Sequence, residues 1–290
     1  MEISEIFKQK KTGLSFEVFP PKKESGIETI YKTLDALTEL NPDFISVTYG
    51  AGGSQVTNAS TIDLCSYIKN KLNIETIAHL SCLYNSKEDV SKFMQELKDV
   101  NVKNILALRG DENPDYELKN DFKHASDLAK YIKSVDSDFF VSGACYPEVH
   151  QEAENIVEDI KNLKIKVDNG ADHLISQLFF DNNAFFDFME KVRIAGIDVP
   201  VEAGIMPVTN KRQIERMVSM CGASIPAKLS KVLQKFGDND EAMLEAGISY
   251  ATDQIIELAA NGVDGVHIYT MNNPYVAKKI TDNIKSIINV

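Results

Sequence analysis

Tryptophan is absent, cysteine occurs four times in 290 residues, arginine also only four times, and positive charge is in deficit. With 31 Lys and Arg against 43 Asp and Glu, the formal net charge is −12. Each shortage excludes something. Cys65, Cys82, Cys145 and Cys221 show no CxxC and no Cys/His spacing, which disfavours a disulfide framework or a zinc site. Buried free thiols in a reducing cytoplasm are expected instead. So acidic a chain repels phosphate, which argues against nonspecific binding to nucleic acid or to an anionic membrane, and an anionic ligand needs a local basic pocket. No apolar run approaches the ~20 residues that span a bilayer, and the opening MEISEIFKQKKTG is charged where a secretory signal would be apolar. The sequon Asn58-Ala59-Ser60 therefore carries no expectation of glycosylation. There is no Walker motif and no HExxH, and Tyr49-Gly50-Ala51-Gly52-Gly53-Ser54 lacks the third glycine of a dinucleotide fingerprint.

What is present is a repeat. Short apolar, β-rich runs recur at 15–19, 44–48, 76–80, 105–109, 139–145, 174–179, 199–205 and 265–269. Amphipathic helical patterns follow at 26–40, 58–72, 87–100, 122–134, 152–169, 184–195, 213–220 and 274–288. Between the seventh and eighth strands, 225–261 adds two further helical stretches around Gly237-Asp238-Asn239-Asp240. Eight βα units without a linker or low-complexity segment predict an α/β fold. The expected form is a single (β/α)8 TIM barrel over residues 1–290 with extra helices between strands 7 and 8. A doubly wound sheet is the alternative.

In a barrel the chemistry sits at the carboxyl ends of the strands. In Ser15-Phe16-Glu17-Val18-Phe19-Pro20-Pro21, alternation separates Phe16 and Val18 from Ser15, Glu17 and Phe19, and the prolines stop the strand. A carboxyl desolvated there is expected to hold its proton more tightly and to serve as a general acid, unless a neighbouring cation satisfies it. Strand 4 ends in Leu106-Ala107-Leu108-Arg109-Gly110-Asp111, where alternation would place Arg109 and Asp111 on one face, as a ligand-binding pair or a plain ion pair. Asp159, Asn162 and Lys166 form one helical stripe, the usual mark of a solvated face. Gln177 interrupts an apolar run, so its amide belongs either to a core network or to ligand reading. No strand run ends in lysine, which disfavours a Schiff-base aldolase. His79, His150 and His267 are isolated in sequence, which disfavours a metal-dependent hydrolase. A planar organic cofactor or substrate suits this inventory better.

Seven strand-end segments occur in the order seen in one family: Ser15-Phe16-Glu17-Val18-Phe19-Pro20-Pro21, Val47-Thr48-Tyr49-Gly50-Ala51, Ala78-His79-Leu80-Ser81-Cys82, Ala107-Leu108-Arg109-Gly110-Asp111, Ala144-Cys145-Tyr146-Pro147-Glu148-Val149-His150, Gln177-Leu178-Phe179-Phe180-Asp181 and Gly204-Ile205-Met206-Pro207-Val208. The chain resembles methylenetetrahydrofolate reductase in its short bacterial form, across essentially its whole length. The resemblance implies an FAD-dependent barrel that reduces 5,10-methylenetetrahydrofolate to 5-methyltetrahydrofolate, with NADH or NADPH as donor and ping-pong kinetics. It also implies a cytoplasmic homo-oligomer. Some family members work only with a partner subunit, so a flavin-bearing component that receives electrons from an accessory protein is the alternative expectation.

By the same resemblance, Glu17 is the acid that helps open the folate imidazolidine ring, and Asp111 stabilises the cation that forms. Gln177 and Gln213 match positions that contact folate or the nicotinamide. Thr48, Tyr49, Ala51, His79, Arg109, Gly110, Asp111, Ala125, Tyr146, His150, Ala153, Asp159, Asn162 and Lys166 match positions lining the FAD site, and no metal is implied. Two departures stand out. Tyr269-Thr270-Met271-Asn272-Asn273-Pro274 lacks the arginine that bacterial relatives carry after Tyr-Thr-Leu-Asn, which bears on the folate glutamate tail, and Ala203 replaces a proline before Gly204.

Overall fold

A computed structural model describes the chain except for residues 1, 10, 11, 22–25, 50–57, 116 and 290. The short apolar runs become eight parallel strands, and these close into a ring in chain order. They are β1 (Gly13–Val18), β2 (Phe44–Val47), β3 (Glu75–Ser81), β4 (Asn104–Leu108), β5 (Phe140–Cys145), β6 (His173–Ser176), β7 (Val201–Ile205) and β8 (Gly265–Tyr269). The ring is sealed between first and last strands, where Ser15 pairs with His267 and Glu17 with Tyr269. The doubly wound alternative is therefore excluded.

An amino-terminal helix α1 (Ile3–Gln9) precedes the ring. Helices α2 (Ile27–Thr38), α3 (Asn58–Ser66), α4 (Lys87–Asp99), α5 (Ala125–Val135), α6 (Ile156–Asp168), α7 (Asn182–Ile194) and α8 (Lys211–Cys221) follow the first seven strands. The insertion before β8 is α9 (Ala227–Phe236) and α10 (Asp240–Ala260), and α11 (Pro274–Ile284) ends the fold. Local chemistry sets several of these boundaries. Ser86 and Asp89 form a capping box at the start of α4, Asn155 caps α6 through the amides of Val157 and Glu158, and Pro274 opens α11. Helix α6 starts at Ile156, later than the expected 152, because the segment after β5 is spent on turns before this cap. A π-helical turn at Tyr67–Lys71 continues α3.

Strand alternation sorts the core into two layers. Leu14, Phe16, Val18, Ile45 and Val47 point outward and pack with the helices. Phe44, Ile77, Leu106 and Ile175 fill the lumen with Ile3 and Ile6 of α1, so that the amino-terminal segment plugs the bottom of the barrel. Phe7 stacks on the inward-facing His173 with ring centroids 4.7 Å apart. The lumen is not wholly apolar, for Ser15, Ser46, Ser142, His173, Glu202 and His267 are all fully buried.

Helices α8 to α10 make a side cluster with Leu178, Phe180, Met206 and Val208, the residues that follow β6 and β7. Within it, Gly247 of α10 lies so close to the loop after β7 that an added Cβ would sit 1.9 Å from the Val208 carbonyl oxygen. At an unconstrained helix site, Gly→Ala stabilises by about 1 kcal/mol. Here the steric overlap outweighs propensity, and Gly247→Ala should destabilise by about 1–3 kcal/mol. A lowered melting temperature is expected; a raised one would show that the helix-to-loop approach is not tight.

Candidate active site

Glu17 is the last inward-facing residue of β1. Its Oε2 lies 3.7 Å from His79 Nε2 and 3.9 Å from His267 Nε2, so one carboxylate stands between two imidazoles without hydrogen-bonding either. The Glu17 side chain keeps 21% exposure while those of the histidines keep 6% and 0%. The carboxyl thus opens into the barrel mouth and is less enclosed than its position in an apolar strand suggested. The segment after β8 clamps this end of β1. Thr270 Oγ1 donates to the Glu17 carbonyl at 2.6 Å, and Asn272 both accepts from Phe19 N at 3.0 Å and donates to Phe19 O at 2.8 Å. Met271 and Asn272 turn through the left-handed region with φ of 51° and 54° to make that clamp. Tyr269 closes the wall, its buried hydroxyl donating to Ser176 O at 2.7 Å. Burial drives the Tyr269 pKa well up. Gly204 makes room for it, since a Cβ there would lie 2.7 Å from the Tyr269 hydroxyl.

Strand β4 ends at Leu108, and Gly110 takes a φ of 86°, so the alternation expected to carry Arg109 and Asp111 onto one face stops short of them. Arg109 pairs instead with Glu152 at 2.5 Å, and Asp111 is exposed. After β5, the rings of Tyr146 and His150 meet edge to face at 4.5 Å, and the His150 amide donates to Asp159 Oδ2 at 2.9 Å. Lys166 lies along Gly143 and donates to the Ala144 carbonyl at 2.5 Å. Burial lowers its pKa, an effect that Cys145 and Asp159 oppose. Asp159 and Lys166 therefore turn toward β5, whereas Asn162 of the same stripe is exposed. Ala125 is buried at the first turn of α5, and Ala153 is half-buried in the turns before α6. Tyr49 donates to Asn85 Oδ1 at 3.3 Å, and Ala51 lies outside the described residues.

Gln177 falls just past β6, not within it. Its Oε1 accepts from Leu178 N at 2.9 Å, which holds the side chain at the rim. Gln213 occupies the first turn of α8, where its amide donates to the Asn210 cap. Asn273, at the position of the missing arginine, caps α11 by accepting from Val276 N. Sequence reasoning had set His267 aside as an isolated histidine, and it did not single out Tyr269 or Thr270. The signal was available: alternation turns His267 and Tyr269 inward, and a closed barrel must bring β8 against β1.

The residues around the mouth suit a large group that brings acceptors and negative charge. Thr48 Oγ1 and His79 Nε2 are buried and without a hydrogen-bond partner. Among the described residues, Lys166 has no carboxylate within ion-pair distance. Buried polar atoms left unpaired are costly, and a bound polar ligand would satisfy them. The donors present thus fit an anionic cofactor that brings hydrogen-bond acceptors, as FAD does. Cys145 beside them is an inert thiol, its pKa pushed up to about 12 by burial. Among the described residues, no group of three or more His, Cys, Asp or Glu is arranged to hold a metal ion, and no helix is long and apolar enough to cross a membrane.

Burial lowers the His79 pKa from its ordinary 6.5 to about 4, against the pull of Glu17 in the other direction. In acid the unfolded chain therefore takes up a proton that the folded chain refuses, and stability falls as the pH drops from about 6.5 toward 4, by up to about 3 kcal/mol. Chemical denaturation across that window should show this slope in the wild type and a shallower one in His79→Gln; equal slopes would mean that His79 is not held neutral.

Comparison with known proteins adds to this geometry. The profile of the methylenetetrahydrofolate reductase family matches residues 2–285. Methylenetetrahydrofolate reductase (NADH) 1 of Arabidopsis thaliana is 35% identical over 285 residues, covering 93% of this chain and 48% of that protein. The chain spans about half the length of the plant and yeast relatives it matches. The 5,10-methylenetetrahydrofolate reductase of Escherichia coli (strain K12) is 35% identical over 264 residues, covering 91% of this chain and 88% of that protein. In fold, the chain is similar to an uncharacterized protein from Clostridium thermocellum that binds two copies of 5-methyl-5,6,7,8-tetrahydrofolic acid, with a TM-score of 0.69, 16% identity and 99% coverage of both chains. With the family profile running from the second residue almost to the last and a bacterial relative covered nearly end to end, the chain belongs to the methylenetetrahydrofolate reductase family.

Proposed function

We propose that the protein reduces 5,10-methylenetetrahydrofolate to 5-methyltetrahydrofolate, with FAD held at the barrel mouth and NADH or NADPH as electron donor. When bound, the flavin supplies the hydride relay between nicotinamide and folate. The observation that carries the reading is the Glu17 carboxyl, half-open to the mouth between two imidazoles, in a chain of this family.

Glu17 delivers a proton to the folate amine that must leave when the imidazolidine ring opens. Neutral His79 sits beside it without competing as a cation. Asp111, exposed after β4, approaches the pterin and offsets the positive charge that ring opening creates. Lys166 and Arg109 would hold the cofactor's negative charge, Arg109 in exchange for its Glu152 partner, and Thr48 would donate to the cofactor. Tyr49, Gly110, Tyr146, His150, Asp159 and the segment containing Ala51 complete the wall around it. Gln177 and Gln213 read the planar partner that occupies the slot in each half-reaction, and Asn273 leaves the folate tail without the arginine used by bacterial relatives. The enzyme works as a homo-oligomer and takes its electrons directly from the nicotinamide.

Because flavin reduction needs no proton on a pterin and ring opening does, loss of the acid alone should divide the two half-reactions. In stopped-flow measurements, Glu17→Gln is expected to reduce its flavin with NAD(P)H at a near-normal rate. Its folate-dependent reoxidation should slow by at least about 10²-fold. If both steps lost rate equally, Glu17 would be a structural residue of the lumen and the proposed role would fail.

A further inference from the structure

Glu202 is a carboxylate with no exposure at all, deep in the lumen, and the folate reaction as described gives it nothing to do. Its slot is built for it. A Cβ on Gly265 would lie 2.8 Å from its Cγ and Oε1, and one on Gly13 would lie 3.6 Å from Oε1, so two adjoining strands omit a side chain where Glu202 lies. Among the described residues, no lysine or arginine pairs with it. A buried carboxylate without a strong cation is expensive, and an apolar side chain of similar volume would ordinarily be no less stable. Its contacts point to another use.

Ser15 Oγ lies 3.0 and 3.1 Å from the two Glu202 oxygens and 2.6 Å from His267 Nδ1. A serine hydroxyl has a single proton. Carboxylate oxygens can only accept, so Ser15 donates to Glu202 and has only lone pairs left for His267. The Nδ1 atom of His267 must then be the donor. That leaves its Nε2 bare, accepting from Ser46 Oγ at 3.4 Å and facing Glu17 Oε2 at 3.9 Å. On the opposite side of Glu202, His173 Nε2 lies 3.5 Å from Oε2, and its Nδ1 lies 3.0 Å from Ser142 Oγ. His173 Nε2 makes no hydrogen bond as it stands, but the neighbouring carboxylate favours the proton on that nitrogen, with Ser142 donating to Nδ1.

We infer that Glu202 is a positioning residue that fixes the two lumen histidines in opposite tautomers, His267 with its proton on Nδ1 and His173 with its proton on Nε2, and thereby presents Glu17 with an acceptor. Around His267 stand Ser15 from β1, Ser46 from β2, Glu17, Tyr269 and the Phe44 ring, stacked at 6.1 Å. Nε2 has one lone pair, so a hydrogen bond from a protonated Glu17 carboxyl, about 1 Å closer than it now stands, takes the place of the long Ser46 contact. Glu202 thus fixes, through Ser15, which nitrogen of His267 faces Glu17. This deepens the proposed role of Glu17 and rests on it for its catalytic meaning, but the tautomers are a property of the protein without folate.

The test is nitrogen-15 NMR of the purified holoprotein labelled at its five histidines, with His173→Gln and His267→Gln to assign the two rings. The expected pattern is Nδ1–H for His267 and Nε2–H for His173; the same tautomer in both, or the reverse assignment, overturns the inference. Glu202→Leu removes the acceptor and should shift His267 toward Nε2–H, whereas an unchanged His267 pattern in a folded variant would show that Glu202 does not set it. Should that variant not fold, Ser15→Ala breaks the same link and carries the same expectation. With the tautomer shifted, folate-dependent reoxidation should slow about tenfold or more, a fraction of what a mispositioned catalytic histidine loses. If the tautomers shift and that rate does not, the positioning role is overturned while the assignment of Glu17 still rests on its own variant.

Discussion

Closing eight parallel strands into a ring forces every inward side chain to find its partner across a dry lumen. Most inward positions meet the demand with Phe44, Ile77, Leu106 and Ile175, and α1 seals the bottom. The polar exceptions are not scattered. Ser15, Ser46, His267 and Glu202 adjoin one another near the β1–β8 seam, and Ser142 with His173 extends the group across the barrel. Glu17 stands one strand repeat above Ser15, at the point where this buried polar set meets the mouth. The candidate chemistry therefore stands at the exposed end of a buried polar column, close to it but not hydrogen-bonded to either imidazole.

Around that column the barrel divides its labour by height. The bottom is apolar and plugged, the middle is polar and hydrogen-bonded except at His173 Nε2, and the mouth holds Thr48 Oγ1 and His79 Nε2, also without partners. Half-buried Lys166 donates to the Ala144 carbonyl at the end of β5. A chain with net charge −12 can accept an anionic cofactor only if cations are placed locally, and Arg109 and Lys166 are the cations proposed for it. The clamp from Thr270 and Asn272 onto Glu17 and Phe19 ties the last strand to the first at the same level, so the acid is held by backbone contacts as well as by its strand.

Much of this was legible in the residues. Short apolar, β-rich runs with intervening amphipathic stretches mark all eight strands to within a few residues, and strand-end polar residues mark the mouth. Alternation failed where the backbone left the strand. Arg109 and Asp111 were read as neighbours on one face, but β4 ends before them and the positive φ of Gly110 redirects the chain, so Arg109 meets Glu152 from a distant loop. Such a partner, 43 positions away, leaves no periodic trace. The plug formed by α1 was equally hidden, because its charged amphipathic stretch looks like any surface helix until a barrel bottom is there to cover. The stripe of Asp159, Asn162 and Lys166 reads as a solvent face, and only packing separates it, half-burying Lys166 along Gly143 and leaving Asn162 exposed.

The central claim is that this one chain carries electrons from a nicotinamide to a folate through a flavin at the barrel mouth. Anaerobic absorbance of the purified wild-type protein tests it most directly. The account predicts a flavin spectrum that bleaches when NADH or NADPH is added to the chain alone and recovers its colour when 5,10-methylenetetrahydrofolate follows. A flavin that stays oxidised with either nicotinamide, or that stays bleached in the presence of the folate, would contradict the account.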